Sequence, residues 1–270
     1  MNCKSKPPST LTDKGTEEES KIQVPLKAHQ RCDPKSKMPL PTVILPGYFA
    51  SDFEYRSLEK SLQELGFPTV TVPLRQRDWF PTVGGRSMVP ILRKLDQTVK
   101  QQLEKYNTSK INLIGHSAGG WIARIYLGEK SYNIHQDVTE SAGLWHAYPY
   151  VATLVTLGTP HVSQERWTKR NLDFVKINYP GAFYSDVRYV CVAGKAIYGE
   201  RRLGKWLAYS SYQLTCGVGN CWGDGITPIE AAHLQGATNL TLESVLHSPR
   251  RVGIWYGSPT VVQSWVSYLS

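Results

Sequence analysis

One stretch constrains the fold more than any other: Ile111-Asn112-Leu113-Ile114-Gly115-His116-Ser117-Ala118-Gly119-Gly120. It reads as a short apolar strand, then Gly-x-Ser-x-Gly, then an amphipathic helix from Trp121 to Gly128. In that context a serine sits on a sharp turn with strained backbone angles, and its hydroxyl projects above the sheet. Small neighbours are required because a Cβ at Gly115 or Gly119 would collide with the adjoining strand or helix. An ordinary turn with Ser117 capping the helix would use similar residues; the strand before and the helix after favour the elbow.

Around this centre the chain alternates between two periodicities. Order is expected from Pro41, with Thr42 to Leu45 an apolar strand running into the bend Pro46-Gly47-Tyr48. Tyr55, Leu58, Leu62 and Leu65 recur at helical spacing, and Gly66 closes that helix. Thr69 to Val72 is the next strand and Pro73 to Arg86 a loop; Met88, Ile91, Leu92, Leu95, Val99 and Leu103 then mark a long amphipathic helix. Residues 131–149 read as loop. Strands are expected at 151–157, 187–192 and 239–242, a short helix at 229–234, and a closing helix carrying Val261, Val262, Trp265 and Leu269. Strands alternating with amphipathic helices predict an α/β fold, a mostly parallel central sheet flanked by helices. In such sheets the chemistry gathers at the carboxyl ends of the strands.

Two domains of behaviour follow from composition. Residues 1–38 are rich in Lys, Ser, Pro and Glu without periodicity and predict a disordered polar leader; residues 39–270 form the folded domain. Within it, 161–222 reads as a cap or lid-like insertion, and its 196–222 portion sets Arg201, Arg202 and Lys205 beside Leu203, Trp206 and Leu207. The formal net charge is +9, but no basic stripe interleaved with aromatics marks a nucleic-acid partner. No apolar run is long enough for a membrane span, and no apolar signal core stands at the start. The five cysteines show no disulfide framework and no metal-site spacing, and only Cys216 and Cys221 are close in sequence. A reducing compartment is expected, cytoplasmic in the simplest case, with an organelle such as a plastid left open.

A serine hydroxyl needs a base to take its proton, and that base needs a third group to fix its tautomer. His247, after the last strand, is the candidate base; Asp224, flanked by two glycines, is the candidate acid. The chain order is then Ser117, Asp224, His247. Among rivals, His116 is turned aside by the elbow, His161 follows a strand and is expected to line the pocket, His233 lies in a short helix, and Asp186 stands at the wrong end of its strand. The oxyanion donors are expected from the backbone N–H groups of Ala118 and Tyr48.

At this point the sequence resembles the α/β-hydrolase superfamily, and within it the lipase- and esterase-like branch. The resemblance rests on the LPGY stretch at 45–48, GHSAGG at 115–120, LGTPH at 157–161, GDGITP at 223–228 and VLHSP at 245–249. It implies a Ser-Asp-His triad at Ser117, Asp224 and His247, ester hydrolysis through an acyl-enzyme, and no cofactor or metal. The oxyanion loop departs from the pattern by carrying Pro46-Gly47 where many lipases have His-Gly. The substrate is expected to be a small-molecule or lipid ester, with Trp79, Phe80, Trp121, His161 and Trp222 lining an apolar pocket. The basic and aromatic cap suggests peripheral contact with an anionic membrane surface. A thioesterase or acyltransferase on the same residues, and a non-catalytic binding protein on the same fold, are the alternatives.

Overall fold

The computed structural model describes residues 38–134 and 143–270. The leader expected at 1–38 lies, but for its last residue, outside the described residues, as does the middle of the loop expected at 131–149.

Six strands make one parallel sheet: β1 (Thr42–Leu45), β2 (Thr69–Thr71), β3 (Ile111–His116), β4 (Val151–Leu157), β5 (Arg188–Lys195) and, after two short strands described below, β8 (Thr238–Glu243). Their order is β2-β1-β3-β4-β5-β8. The chain moves outward from β1 to β2, then returns to the other side of β1 for β3. The gap between the carboxyl ends of β1 and β3 is therefore the switch point of the sheet, where ligands of open α/β sheets bind.

Alternation along the strands builds a core on each face. Val43 and Leu45 of β1 enter one cluster and Ile44 the other; Ile111 and Leu113 of β3 oppose Ile114 in the same way. The first cluster is covered by α2 (Val89–Lys105), whose Ile91, Leu92, Leu95 and Val99 are fully buried at helical spacing. The second is covered by α1 (Arg56–Glu64), through Leu58 and Leu62, and by the C-terminal segment with α7 (Pro259–Val262). The elbow helix α3 (Ala118–Leu127) is buried along its whole length rather than on one face, because α2 and α4 (Arg166–Asn178) both pack against it.

Two helices escape the apolar pattern. In α4 only Asn171, Leu172 and Val175 are buried, and its start is fixed by the Glu165 side chain, which accepts from the N–H groups of Trp167 and Thr168. In α5 (Trp206–Cys216) Trp206, Leu207 and Leu214 face outward. The segment expected at 161–222 as one insertion thus contains the crossover helix α4 and the core strand β5. Only residues 196–222 stand off the sheet. Their two ends form an antiparallel clasp, β6 (Ile197–Tyr198) against β7 (Trp222–Gly223), and α5 lies between them. A short helix α6 (Ile229–Ala232) leads on to β8. The 73–86 loop carries a 3-10 turn at Gln76–Thr82, and the closing helix is split between α7 and a 3-10 turn at Val266–Tyr268.

Asn112 in β3 ties the far edge together. Its amide donates to the carbonyls of Ser270 (3.0 Å) and Leu40 (3.3 Å) and to Thr42 Oγ1, and its Oδ1 accepts the Ser270 N–H at 3.0 Å. The side chain is fully buried. Asn112→Ala removes these bonds, leaving the Ser270 N–H without its acceptor, and is expected to cost about 2 kcal/mol in urea unfolding; an unchanged midpoint would contradict the role.

Candidate active site

The elbow is built by close approach of backbone. Ser117 has φ 52° and ψ −123°, a conformation costly for any residue but glycine. A Cβ on Gly119 would lie 2.3 Å from the Leu45 carbonyl oxygen, and one on Gly115 would lie 2.5 Å from Gly120 Cα. Only glycine permits the helix to start this near β1 and β3. His116 and Ala118 are buried while Ser117 is half-buried, so the serine alone of the three is presented outward.

Asp224 follows β7 in the turn expected as the acid loop. Its Oδ1 accepts the N–H groups of Ile226 (2.9 Å) and Thr227 (2.7 Å). Its Oδ2 accepts from His247 Nδ1 at 2.8 Å and from the Tyr256 hydroxyl at 2.7 Å. Burial pushes the carboxyl up, but the His247 charge and these hydrogen bonds outweigh it and hold Asp224 below the usual carboxylate range. Gly158, at the end of β4 with φ 56°, keeps this space open: a Cβ there would lie 2.7 Å from Oδ2.

His247 arrives from β8 through Ser244, which is left-handed at φ 61° and donates its N–H to the Lys195 carbonyl. Val245 then anchors in the second core, and the His247 N–H donates to the Asp224 carbonyl at 3.0 Å. Asp224 and His247 are therefore joined through main chain and side chain. The carboxylate fixes the proton on Nδ1, so Nε2 is left to accept from Ser117 Oγ, 3.0 Å away. The three side chains form one continuous hydrogen-bonded run.

A second run lies behind it. His116 donates from Nε2 to the His247 carbonyl at 2.9 Å, so its Nδ1 is the acceptor for the Tyr55 hydroxyl at 2.6 Å. The Tyr55 oxygen in turn accepts the Gly47 N–H at 2.9 Å. Tyr55 thus links the β1 loop, the elbow and the loop of the base. It also takes up Gly47's donor. Among the described residues the next two candidates, the N–H groups of Tyr48 and Ala118, have no protein acceptor. The β1 loop passes close to the serine, since a Cβ on Gly47 would be 3.0 Å from Ser117 Cβ.

The proposed pocket residues divide. Phe80 and Trp222 are exposed, and Trp222 packs on Tyr198 with Lys195 Nζ over its ring. Two sequence expectations need correcting. Trp79 is fully buried, its Nε1 donating to the Ala50 carbonyl, because the 76–82 turn folds it inward. Trp121 is a core residue of α3. His161 is largely buried against Arg124, which also donates to the carbonyls of Tyr179 and Gly181, and it borders the polar groove beside Cys216. Of the rivals, Asp186 is exposed, and the His233 ring nitrogen Nε2 meets the Thr241 hydroxyl. The sequence reading missed Tyr256 and the bridging role of Tyr55. Neither carries a local signal, because each acts through partners far away in the chain. Among the described residues no cluster of His, Cys, Asp and Glu could hold a metal ion, and no helix is long and apolar enough to cross a membrane.

A six-stranded parallel sheet with a serine elbow at its switch point is one side of the comparison. On the other, the mature lipase BlEst2 of Bacillus licheniformis superposes with a TM-score of 0.59 over 89% of this chain and 95% of that one, at 19% identity. The chain has the α/β-hydrolase fold. A probable hydrolytic enzyme from Pseudomonas aeruginosa PAO1 aligns at TM-score 0.46 and 12% identity, covering 87% of this chain and 86% of that one. A Listeria innocua protein, the product of gene lin2722, aligns at TM-score 0.46 and 12% identity over 84% and 93%. A family model described as a PGAP1-like alpha/beta domain matches residues 80–177. That stretch of this α/β-hydrolase fold runs from the 3-10 turn through α2, the elbow and β4 into α4. No curated protein matches the chain.

The buried His116 gives this fold a pH signature. Burial, reinforced by repulsion from His247, lowers its pKa from 6.5 to about 3. Between those values the unfolded chain binds a proton that the folded chain refuses, so the stabilisation is complete above pH 6.5 and is lost as pH falls. His161, also held well below its ordinary value by burial and Arg124, acts in the same direction. Lowering pH from 6.5 to 5 is expected to cost about 2 kcal/mol for His116 alone, and His116→Gln should remove that share of the slope. Urea unfolding at the two pH values checks this; a slope equal in both proteins would contradict it.

Proposed function

We propose that the protein is a serine hydrolase that cleaves carboxylic esters, with Ser117 as nucleophile, His247 as base and Asp224 as the acid that orients it. The observation that carries the reading is the hydrogen-bonded run from Ser117 Oγ through His247 to Asp224, at 3.0 and 2.8 Å. In this reading His247 Nε2 takes the serine proton as Oγ attacks the ester carbonyl, and Asp224 stabilises the imidazolium. The oxyanion is received by the N–H groups of Ala118 and Tyr48. Collapse expels the alcohol, which takes the proton back from His247. A water, deprotonated by the same base, then releases the acid from the acyl-enzyme. Tyr256 donates to the same Asp224 oxygen, Oδ2, as His247, and it is itself held by the Gly194 N–H.

For the substrate we propose a lipid or other apolar ester. The cap offers Leu203, Trp206 and Leu207 to solvent beside Arg201 and Arg202, a surface suited to an anionic lipid interface. Phe80 and Trp222, both exposed, are the remaining candidates for contact with the acyl chain.

A panel of short p-nitrophenyl esters, glycerolipids and acyl-CoA thioesters tests the reading. Ester turnover is expected, and Ser117→Ala should lower kcat by about 10⁶-fold and Asp224→Asn by about 10⁴-fold. Tyr256→Phe should fall between wild type and Asp224→Asn. No turnover, and no covalent labelling of Ser117 by a fluorophosphonate in folded protein, would overturn it. On anionic vesicles, Arg201→Glu with Arg202→Glu should slow lipid hydrolysis about tenfold while leaving soluble esters untouched. An equal effect on both substrates would remove the interfacial role.

A further inference from the structure

The cap carries a pair of thiols that the ester chemistry does not use. Cys216 ends α5 and Cys221 stands immediately before β7. Both sulfurs lie 3.4 Å from one acceptor, the Val218 carbonyl oxygen, so they are at most twice that distance apart. The turn between them pivots on Gly217, left-handed at φ 82°. Both thiols are partly accessible, unlike Cys191 in the core. A polar groove of about 240 Å³ opens at Cys216, lined also by Ser163, Lys169 and Lys176, and gives an external reagent a way in.

What the pair is attached to gives it consequence. One turn before Cys216, Tyr212 donates its hydroxyl to the Ile197 carbonyl and accepts the Gly225 N–H at 2.8 Å, beside Asp224. The Cys216 thiol itself donates to the Tyr212 carbonyl. Cys221 leads through Trp222 and Gly223 directly into Asp224. The two sulfurs thus sit at the two attachments of the acid loop, one on the helix that holds Gly225 and one just before the strand that delivers Asp224.

We propose that Cys216 and Cys221 form a reversible dithiol–disulfide site whose partner is a small or protein disulfide, and that closing it pins α5 to β7 and tightens the acid loop. The Cys216 thiolate attacks one sulfur of the external disulfide and expels one thiol, leaving a mixed disulfide on Cys216. Cys221 then gives up its proton and attacks Cys216 Sγ, expelling the second thiol. Two protein thiols are oxidised to one disulfide, and one external disulfide is reduced to two thiols. The groove is lined by Cys216 and not by Cys221, which gives the first attack to Cys216; burial and the neighbouring Cys216 hold the Cys221 thiol up at about 11.

The test equilibrates the full chain, with Cys3→Ser and Cys32→Ser to silence the leader, against glutathione and glutathione disulfide. Acid quenching, alkylation and peptide mapping follow. An internal Cys216–Cys221 link is expected, reversed by excess dithiol, with Cys221→Ser trapped as the glutathione adduct at Cys216. Amide exchange over residues 223–227 should slow about tenfold in the linked protein and be unaffected by the same treatment of Cys221→Ser. A stable glutathione adduct without internal closure, no oxidation at either cysteine, or closure with unchanged exchange over 223–227 would each overturn the proposal. None of these readouts requires ester turnover, so they stand apart from the fate of the hydrolase reading.

Discussion

At Gly119 the backbone of the elbow helix lies against the carbonyl of Leu45, with no room for a side-chain carbon between them. That contact sets the position of everything else. It brings the end of β3 to the end of β1 across the switch point of the sheet and forces Ser117 into its left-handed turn. The β1 loop is thereby held beside the serine, where a Cβ on Gly47 would lie 3.0 Å from Ser117 Cβ. Local strain of this kind persists only when its surroundings over-determine it. Here the buried α3 helix, packed by α2 and α4, supplies that constraint.

The polar groups behind the serine are arranged so that burial costs little. Asp224 receives four hydrogen-bond donors and His247 sits between a carboxylate and a hydroxyl. His116 is satisfied at both nitrogens in its neutral form. A buried carboxylate so surrounded stays ionised, whereas a buried imidazole without a carboxylate stays neutral. The two histidines of this region therefore differ through their partners: His247 faces Asp224, and His116 faces a hydroxyl and a carbonyl. One keeps a ring nitrogen turned to the Ser117 hydroxyl, and the other fixes the loop that carries the first.

How much of this is legible in the sequence depends on whether the reason for a residue is local. Gly115, Ser117, Gly119, Asp224 and His247 stand in short motifs because backbone geometry over a few residues demands them. The strands and α1, α2 and α3 are legible because their apolar spacing is strong. Helices α4 and α5 are not, since α4 buries little and α5 turns Trp206 and Leu207 outward. Tyr55 reads only as an apolar position of the first helix, and Tyr256 has no pattern at all; their hydroxyls meet partners 61 and 32 residues away. Aromatic composition likewise does not separate Trp79 and Trp121, which are core, from Phe80 and Trp222, which are exposed. His161 is drawn inward by Arg124, a partner that spacing does not reveal.

The site depends on His247 donating from Nδ1 to Asp224 while Nε2 faces the serine. Proton NMR of the imidazole in the resting protein tests this most directly. A strongly downfield-shifted, solvent-protected ring N–H is expected, absent in His247→Ala and lost or moved sharply upfield in Asp224→Ala. A spectrum without that resonance, or one in which it survives unchanged when Asp224 is removed, would contradict the arrangement on which the site rests.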